Sequence, residues 1–263
     1  MSDDRSLLLE AVAEVARLAG KVALGYFKSH VTVETKSDGS PVTIADRAAE
    51  DAARSWIASR FPDDGIEGEE RGANTAKSHR RWIIDPIDGT KAFVRGVPLW
   101  GSLVAVCEGN EVIAGAANFP AVGEELAAAV ERGAWWNGAR CSVSSVDSMA
   151  DATVLTTNPQ FRLTPDLKPA WDKLAAAARM ARGWGDCYGY LLVATGRAEV
   201  MVDGTLADWD AAALYPVIVE AGGVFTDRLG RATPFGKSAI ATNTALATDA
   251  RRLLGVPFSA EKE

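Results

Sequence analysis

The stretch RRWIIDPIDGTKAF, residues 80–93, joins an apolar segment to a turn that carries two acids. The apolar part, Trp82-Ile-Ile, is typical of a buried strand. Pro86 has no N–H to contribute to a strand ladder, so the chain is expected to leave the sheet directly after Asp85. Because the turn is tight, the carboxylates of Asp85 and Asp88 can point into the same space.

This turn offers three oxygen ligands within four residues, namely the carboxylates of Asp85 and Asp88 and the carbonyl of Ile87. Three further acids follow the same pattern. Glu69 and Glu70 end a predicted strand, and Asp210 stands at the start of a predicted helix. All of these donors are oxygens, and no histidine or cysteine accompanies them, a combination that suits Mg²⁺ better than Zn²⁺.

Each acid also has a purely structural explanation when it is taken singly. Asp85 and Asp88 are common turn formers, and Asp210 is a common helix cap. Together, several acids at strand ends and helix starts favour a metal site. Other phosphatase schemes are missing from the sequence: no cysteine is followed six residues later by arginine, no DxDxT motif is present, and no P-loop occurs.

Bulk properties narrow the class of protein. The 263 residues are 48% hydrophobic, which allows a large core, and the net charge of −7 argues against nucleic acid as a partner. Three scattered cysteines do not form a disulfide framework. No apolar run reaches the ~20 residues that span a bilayer, and the N-terminus lacks a signal-peptide pattern. We therefore expect a soluble cytoplasmic protein with no membrane partner.

Hydrophobic periodicity predicts elements along the whole chain. In the first half, helices are expected over 6–27 and from an N-cap at Thr43 to about 59, and strands over 66–70, 102–106, 112–117 and 125–130. In the second half, strands are expected over 153–157, 199–202, 224–226 and 239–242, and helices over 165–180, 187–195, 208–221 and 245–254. This alternation predicts a layered α/β fold. The two halves, 1–148 and 149–263, are expected to share one interface, with most metal ligands in the first and Asp210 in the second.

The ordered motifs resemble those of the inositol monophosphatase family of Mg²⁺-dependent phosphatases. They are PVTIAD at 41–46, GEE at 68–70, WIIDPIDGT at 82–90 and WD at 209–210. The resemblance covers nearly the whole chain and implies the layered αβαβα sandwich of the inositol monophosphatase and fructose-1,6-bisphosphatase type. It also implies a homodimer. One departure is Ala92, where family members commonly have asparagine.

The resemblance also implies a role for each matching residue. Two or three Mg²⁺ ions would be held by Glu69, Asp85, the Ile87 carbonyl, Asp88 and Asp210. Thr90 and Glu69 would orient the attacking water, and Asp46 would orient Thr90. The backbone amides of Gly89 and Thr90, beside Asp88, would hold the phosphate at a helix start.

Two stretches, FVRGVPLWGSLVAV and RGWGDCYGYLLVATGRAEVMVDG, look most like the branch of the family that dephosphorylates histidinol phosphate. That substrate carries an ammonium group and an imidazole, with which Asp186 and Asp203 could form charge-assisted bonds. The structural alternatives are a helix N-cap for Asp186 and a turn residue for Asp203. Two other functions stay open: an inositol monophosphatase or broader sugar-phosphate phosphatase, and a non-catalytic family member that binds a protein partner.

Overall fold

The computed structural model describes residues 2–29, 31–36 and 39–258. Within these residues, no helix combines the length and the apolar character that crossing a membrane requires. The chain forms five alternating layers of helices and sheets.

Two long helices, α1 (Ser2–Leu24) and α2 (Ile44–Arg60), make the first layer. Helix α1 begins before the predicted residue 6 and ends before residue 27. Helix α2 begins as predicted, because the hydroxyl of its N-cap Thr43 accepts a hydrogen bond from the amide of Ala45. A short hairpin, β1 (Val33–Thr35) and β2 (Pro41–Thr43), connects the two helices.

An eight-stranded sheet forms the second layer, in the spatial order β10-β9-β8-β7-β6-β5-β3-β4. Its strands are β3 (Gly65–Gly68), β4 (Gly72–Ala73), β5 (Arg80–Asp88), β6 (Gly101–Glu108), β7 (Glu111–Phe119), β8 (Glu124–Ala129), β9 (Gly133–Trp136) and β10 (Ala139–Arg140). All neighbours are antiparallel except β3 and β5, which are parallel. A four-residue helix, α3 (Thr90–Phe93), follows β5.

The central strand β5 is buried on both faces, which explains its continuous apolar run. Trp82 and Ile84 pack into the cluster formed with α1 and α2. Ile83 points the other way, into the cluster formed with helices of the second half. The strand does not end at Asp85 as expected. It continues to Asp88, with a shift in its pairing to β6 between these two residues, so Pro86 sits in a bulge where no N–H is needed.

The second half supplies a five-stranded sheet in the order β12-β11-β13-β15-β14. Its strands are β11 (Thr153–Leu155), β12 (Met180–Arg182), β13 (Val200–Asp203), β14 (Val224–Thr226) and β15 (Ala239–Thr242). The helices of this half are α4 (Lys168–Ala177), α5 (Asp186–Ala194), α6 (Asp208–Ala212), α7 (Leu214–Glu220) and α8 (Ala247–Leu254). Strand β11 is parallel to both of its neighbours, whereas β15 is antiparallel to both of its own.

Helices α5, α6 and α7 lie between the two sheets. Helix α7 contacts strands of both sheets, α6 contacts β5 and β6 of the eight-stranded sheet, and α5 contacts β13 and β15 of the five-stranded sheet. Their apolar side chains, such as Leu191 and Val217, share one buried cluster with residues of each sheet. Helices α4 and α8 cover the outer face of the five-stranded sheet through Trp171 and Leu254. The layers therefore follow the order αβαβα, and the predicted fold class is confirmed.

Two further predicted helices differ from the structure in more than their end residues. The helix expected over 165–180 is a 3₁₀ turn (Pro165–Leu167) followed by α4, and Met180 begins the edge strand β12. The helix expected over 208–221 is divided into α6 and α7. Pro216 explains the division, because it has no N–H to donate to the carbonyl four residues earlier. The proposed boundary near residue 148 falls between the last strand of one sheet and the first strand of the other.

Candidate active site

The bulge in β5 turns two carboxylates to the same side of the sheet. The amide of Ile87 donates a hydrogen bond to Asp85 Oδ1 (3.0 Å), and Ser102 Oγ donates to the carbonyl of Pro86 (2.6 Å). These bonds fix the bulge from within and from strand β6. Carboxylate oxygens of Asp85, Asp88 and Asp210 all lie within 4.8 Å of one another, so each could contact a single ion.

Asp210 reaches this cluster from the first turn of α6. One of its oxygens accepts a hydrogen bond from the amide of Ala207 (2.7 Å), just ahead of the helix. Asp210 therefore caps the helix, which was the structural alternative predicted for it, and it also faces Asp85. A carboxylate has two oxygens, so capping with one leaves the other for a ligand.

Glu69 and Glu70 follow β3 and meet a cation that the sequence reasoning missed. Lys36 Nζ, from the hairpin between α1 and α2, lies 2.6 Å from Glu69 Oε1 and 2.5 Å from Glu70 Oε1. Burial disfavours the charged amine, but its bonds to the two glutamates raise the pKa of Lys36 overall. No sequence spacing signals this contact, because the lysine lies 33 residues before Glu69.

Burial is the main cause that raises the pKa of each acid in the cluster. For Asp85, burial and then the charges of Glu69, Asp88 and Asp210 raise the pKa well above its usual value. Burial raises the pKa of Asp210 to about 6, although its hydrogen bonds with Ala207 and Asp85 oppose the rise. Burial and the charges of Asp186 and Asp210 raise the pKa of Asp88. Since these carboxylates repel one another in a largely buried site, a bound cation would stabilise their ionised forms.

Gly89 and Thr90 follow the cluster directly. Gly89 has φ +85°, and a Cβ there would lie 3.1 Å from the carbonyl oxygen of Leu99, so both the conformation and the space favour glycine. The Thr90 hydroxyl donates to the Ile87 carbonyl (2.9 Å). Helix α3 has only four residues, so its macrodipole is small, and any hold on a phosphate there would come from individual N–H groups.

Ala92 closes the same turn without a polar side chain. Its amide donates to the carbonyl of Gly89 (2.8 Å), and its carbonyl accepts from the amide of Val97 (3.0 Å). The departure from the family pattern at this position is thus accommodated by backbone hydrogen bonds.

The expected contact between Asp46 and Thr90 is not among the hydrogen bonds of the described residues. Asp46 Oδ2 instead accepts from both the amide and the hydroxyl of Thr43, each at 2.7 Å. These bonds form the capping box of α2. Burial raises the pKa of Asp46 to about 6, although the bonds to Thr43 oppose the rise.

Asp186 is the first residue of α5 and has an unusual backbone, with φ +50°. It is not the predicted N-cap, because Gly185 occupies that position and no side chain caps the helix. The left-handed conformation directs the amide of Asp186 to Thr157 Oγ1 (2.8 Å) and the amide of Cys187 to Asp88 Oδ2. The carboxylate lies against Gly89, where a Cβ would be 3.3 Å from Asp186 Oδ2. Burial and the charge of Asp203 raise the pKa of Asp186 to about 7.

Asp203 is the last residue of β13, not a turn residue, and only 5% of it is exposed. Its two oxygens accept bonds from the amide of Thr157 (3.1 Å) and the hydroxyl of Tyr190 (3.0 Å). Thr157 therefore links Asp186 to Asp203, a role that no sequence motif indicated. Both oxygens retain further acceptor capacity for a ligand.

Two adjoining cavities contain all the predicted site residues except Asp46. One, of about 190 Å³, is lined by Glu69, Asp85, Ile87, Asp88, Gly89, Thr90 and Asp210, among others. The second, of about 240 Å³, is lined by Asp203, Tyr190 and the hydroxyl side chains of residues 156 and 157. Four residues line both cavities: Asp88, Lys91, Asp186 and Asp210. Asp46 lines neither. The arrangement places an acidic cluster at the end of a larger polar cavity.

Comparison with known proteins finds relatives along nearly the whole chain. The model of the inositol monophosphatase family matches residues 4–255. A histidinol-phosphatase from Chlorobaculum parvum is 43% identical over 90% of this chain and 93% of its own length. One from Mycobacterium tuberculosis is 39% identical over 94% of this chain and 96% of its own. A fructose-1,6-bisphosphatase/inositol-1-monophosphatase from Aquifex aeolicus is 34% identical over 89% and 90%.

Solved structures show the same architecture. An inositol monophosphatase from Zymomonas mobilis superposes with a TM-score of 0.82 at 31% identity, covering 97% of this chain and 98% of the other. The extragenic suppressor protein suhB from Bartonella henselae superposes with a TM-score of 0.89 at 26% identity, covering 94% and 98%.

Proposed function

The chain belongs to the inositol monophosphatase family and is a phosphatase, and we propose that its substrate is histidinol phosphate and its cofactor Mg²⁺. The reaction would release histidinol and inorganic phosphate, as a step of histidine biosynthesis in the cytoplasm. The observation that carries the proposal is the oxygen-only cluster of Asp85, Asp88 and Asp210 beside a cavity with two further carboxylates.

The donor set fits Mg²⁺. Glu69, Asp85, Asp88, Asp210 and the Ile87 carbonyl all offer hard oxygens, and they line one cavity. Two or three ions held there would neutralise the phosphate dianion and activate a water molecule. Lys36 would have to give up part of its contact with Glu69 for that residue to act as a ligand.

The remaining residues of the cavity would bind and orient the reactants. The Thr90 hydroxyl donates a hydrogen bond to the Ile87 carbonyl, so its oxygen is left to accept a hydrogen bond from the attacking water. Glu69 would accept the second hydrogen bond and orient that water. The amides of Gly89 and Thr90 would hold phosphate oxygens, and the positive charge of Lys91 at the junction of the cavities would attract the phosphate. Asp46 would act on Thr90 only indirectly, through the α2 cap.

Two carboxylates favour a substrate with positive charge. Asp186 and Asp203 line the larger cavity, and an ammonium or protonated imidazole would relieve their mutual repulsion. Inositol offers only hydroxyl groups and would leave this repulsion in place. The histidinol-phosphatases from Chlorobaculum parvum and Mycobacterium tuberculosis support the same substrate class.

A second candidate is an inositol or broader sugar-phosphate phosphatase. It is favoured by the hydroxyl groups of Thr156, Thr157, Thr164 and Thr205 along the larger cavity, which suit a polyol. The relative from Aquifex aeolicus carries such a name. Binding of a protein partner by a non-catalytic family member stays a prediction, which turnover measurements would test. The homodimer implied by the family also stays a prediction, which sedimentation would test.

The proposal is tested by phosphate release from histidinol phosphate, inositol 1-phosphate and fructose 1,6-bisphosphate with Mg²⁺. Charge-assisted contacts of about 1.5–3 kcal/mol predict a kcat/KM for histidinol phosphate at least roughly 10-fold above the others. Excess EDTA is the control and should abolish all turnover. A preference for inositol 1-phosphate would favour the second candidate, and full activity in EDTA would contradict the metal site.

Thermal stability should depend on pH in the metal-free protein. The pKa of Asp210 is about 6 and that of Asp186 about 7, both above the usual value of 3.8. The unfolded chain therefore releases these protons at lower pH than the folded chain, so folding stability falls as pH rises from about 4 to 7. We expect the Tm to decrease over this interval, and Mg²⁺ to raise it by roughly 5 °C at pH 8 but less at pH 5. An equal effect of Mg²⁺ at both pH values would contradict the assignment of Asp210.

A further inference from the structure

Glu50 is a fully buried acid that none of the roles above uses. It lies on α2, lines neither of the two cavities, and faces the turn that follows β3. Its Oε2 accepts a hydrogen bond from the amide of Glu70 (2.7 Å). Its Oε1 accepts from the amide of Arg71 (3.1 Å) and from Nε of Arg54 (2.7 Å).

Arg54, one turn further along α2, extends this contact. Its Nη2 donates to the carbonyl of Gly72. Glu50 and Arg54 together therefore hold three consecutive residues of the turn, 70–72, by their backbone. On the opposite side, the amide of Glu69 donates to the carbonyl of Ile84 in β5 (3.2 Å). The backbone that carries Glu69 is thus fixed from the helix and from the sheet.

Gly68 shows how closely the carboxylate approaches this segment. A Cβ on Gly68 would lie 2.2 Å from Glu50 Oε1, well inside van der Waals contact. A side chain at position 68 would push the carboxylate off its three donors. The glycine of the GEE motif thus makes room for Glu50.

The acid cluster needs such a support. Glu69 lines one cavity together with Asp85, Asp88 and Asp210, and like-charged carboxylates brought together in one site repel one another. Repulsion would drive a free turn outward and carry Glu69 away from the cluster. A buried carboxylate on a rigid helix, which accepts hydrogen bonds from two amides of the turn and from Arg54, resists that movement. The carboxylate is itself stabilised by these bonds.

We propose that Glu50 is a positioning residue that fixes the turn of residues 69–72 and thereby sets the affinity of the acid cluster for its divalent cation. The inference rests on the proposed Mg²⁺-dependent function. It assigns Glu50 no contact with substrate or metal, and its effect is confined to where Glu69 is held.

The test compares two neighbouring acids on the same helix. Glu50→Gln exchanges one acceptor oxygen for an NH₂ group, which cannot accept a hydrogen bond from the turn. Asp51→Asn removes the same charge one residue later, where, among the described residues, the carboxylate bonds to the exposed side chain of Arg71 and not to the backbone of the turn. The pair therefore separates support of the turn's backbone from a general change in charge.

For Glu50→Gln, we expect the Mg²⁺ concentration for half-maximal activity to rise roughly 10-fold or more, as is usual when a residue that orients a metal ligand is lost. The KM for histidinol phosphate at saturating Mg²⁺ should change less than about two-fold, since substrate contacts are untouched. Asp51→Asn should match the wild type in both. Calorimetric titration of each variant with Mn²⁺ alone should show the same order of affinities without any turnover.

Circular dichroism establishes whether each variant is folded. If Glu50→Gln does not fold, Glu50→Asp replaces it in the same assays, because it keeps the buried charge but is too short to reach all three donors. Wild-type Mn²⁺ affinity in the folded variant would overturn the inference, and so would equal losses in Glu50→Gln and Asp51→Asn. A wild-type protein without Mg²⁺-dependent turnover would instead overturn the proposed function, and the two failures are therefore distinct.

Discussion

Replacing Asp85 with asparagine is expected to lower kcat/KM by roughly 10³-fold or more, since losing several kcal/mol of charge stabilisation costs tenfold for each 1.36 kcal/mol. The residue is buried, lies at the bulge of β5 and has its oxygens near those of Asp88 and Asp210. An amide in its place removes a negative charge from the centre of the cluster, so every cation held there is bound more weakly.

The matched control is Asp46→Asn. Asp46 is also a buried aspartate, but it contacts Thr43 and lines neither cavity. The amide keeps one oxygen that can accept a bond from Thr43, so we expect a loss of about 10-fold or less, of the size of a weakened helix cap. The measurement is steady-state phosphate release at saturating Mg²⁺, with folding checked by circular dichroism. Equal losses in the two folded variants would contradict the roles assigned to them.

The second large effect is expected at Asp186 and should depend on the substrate. Asp186→Asn should lower kcat/KM for histidinol phosphate by roughly 10–150-fold, the equivalent of a charge-assisted bond of about 1.5–3 kcal/mol. Most of the change should appear in KM, because the contact is made to a part of the substrate that does not react. For a small phosphate ester whose alcohol part carries no charge, kcat/KM should fall only a few-fold.

Asparagine is the right replacement because of the backbone at this position. Asp186 has φ +50°, a conformation that asparagine adopts more readily than alanine. The variant therefore preserves the bonds of the two amides to Thr157 and Asp88. Asp186→Ala adds backbone strain and serves as the contrast. The strain would displace the Cys187 amide and disturb Asp88, so the hydrolysis of both esters should be slower. If Asp186→Asn slowed both esters equally, the residue would be structural.

Local chemistry explains what could be predicted. An apolar run, a proline and a glycine in succession place Asp85 and Asp88 together with few alternatives, because each constraint acts within a few residues. Thr43 and the following residues indicated the start of α2 for the same reason. Helix ends near residues 178 and 213 were predicted wrongly, because periodicity does not distinguish an interrupted helix from a continuous one.

The sequence by itself determined the layered α/β class and the match to a phosphatase family, and it predicted which residues offer oxygen donors. Those features depend on short motifs, which can be recognised from residues that are close together in the sequence. Only the tertiary structure decided how the donors are supported: Lys36 against Glu69, Asp46 on Thr43, Thr157 between Asp186 and Asp203, and Glu50 behind the turn. A carboxylate can accept hydrogen bonds from several donors, and the packing of the helices on the sheets decides which donors lie within reach. In most of these cases the two partners are 20 or more residues apart in the sequence.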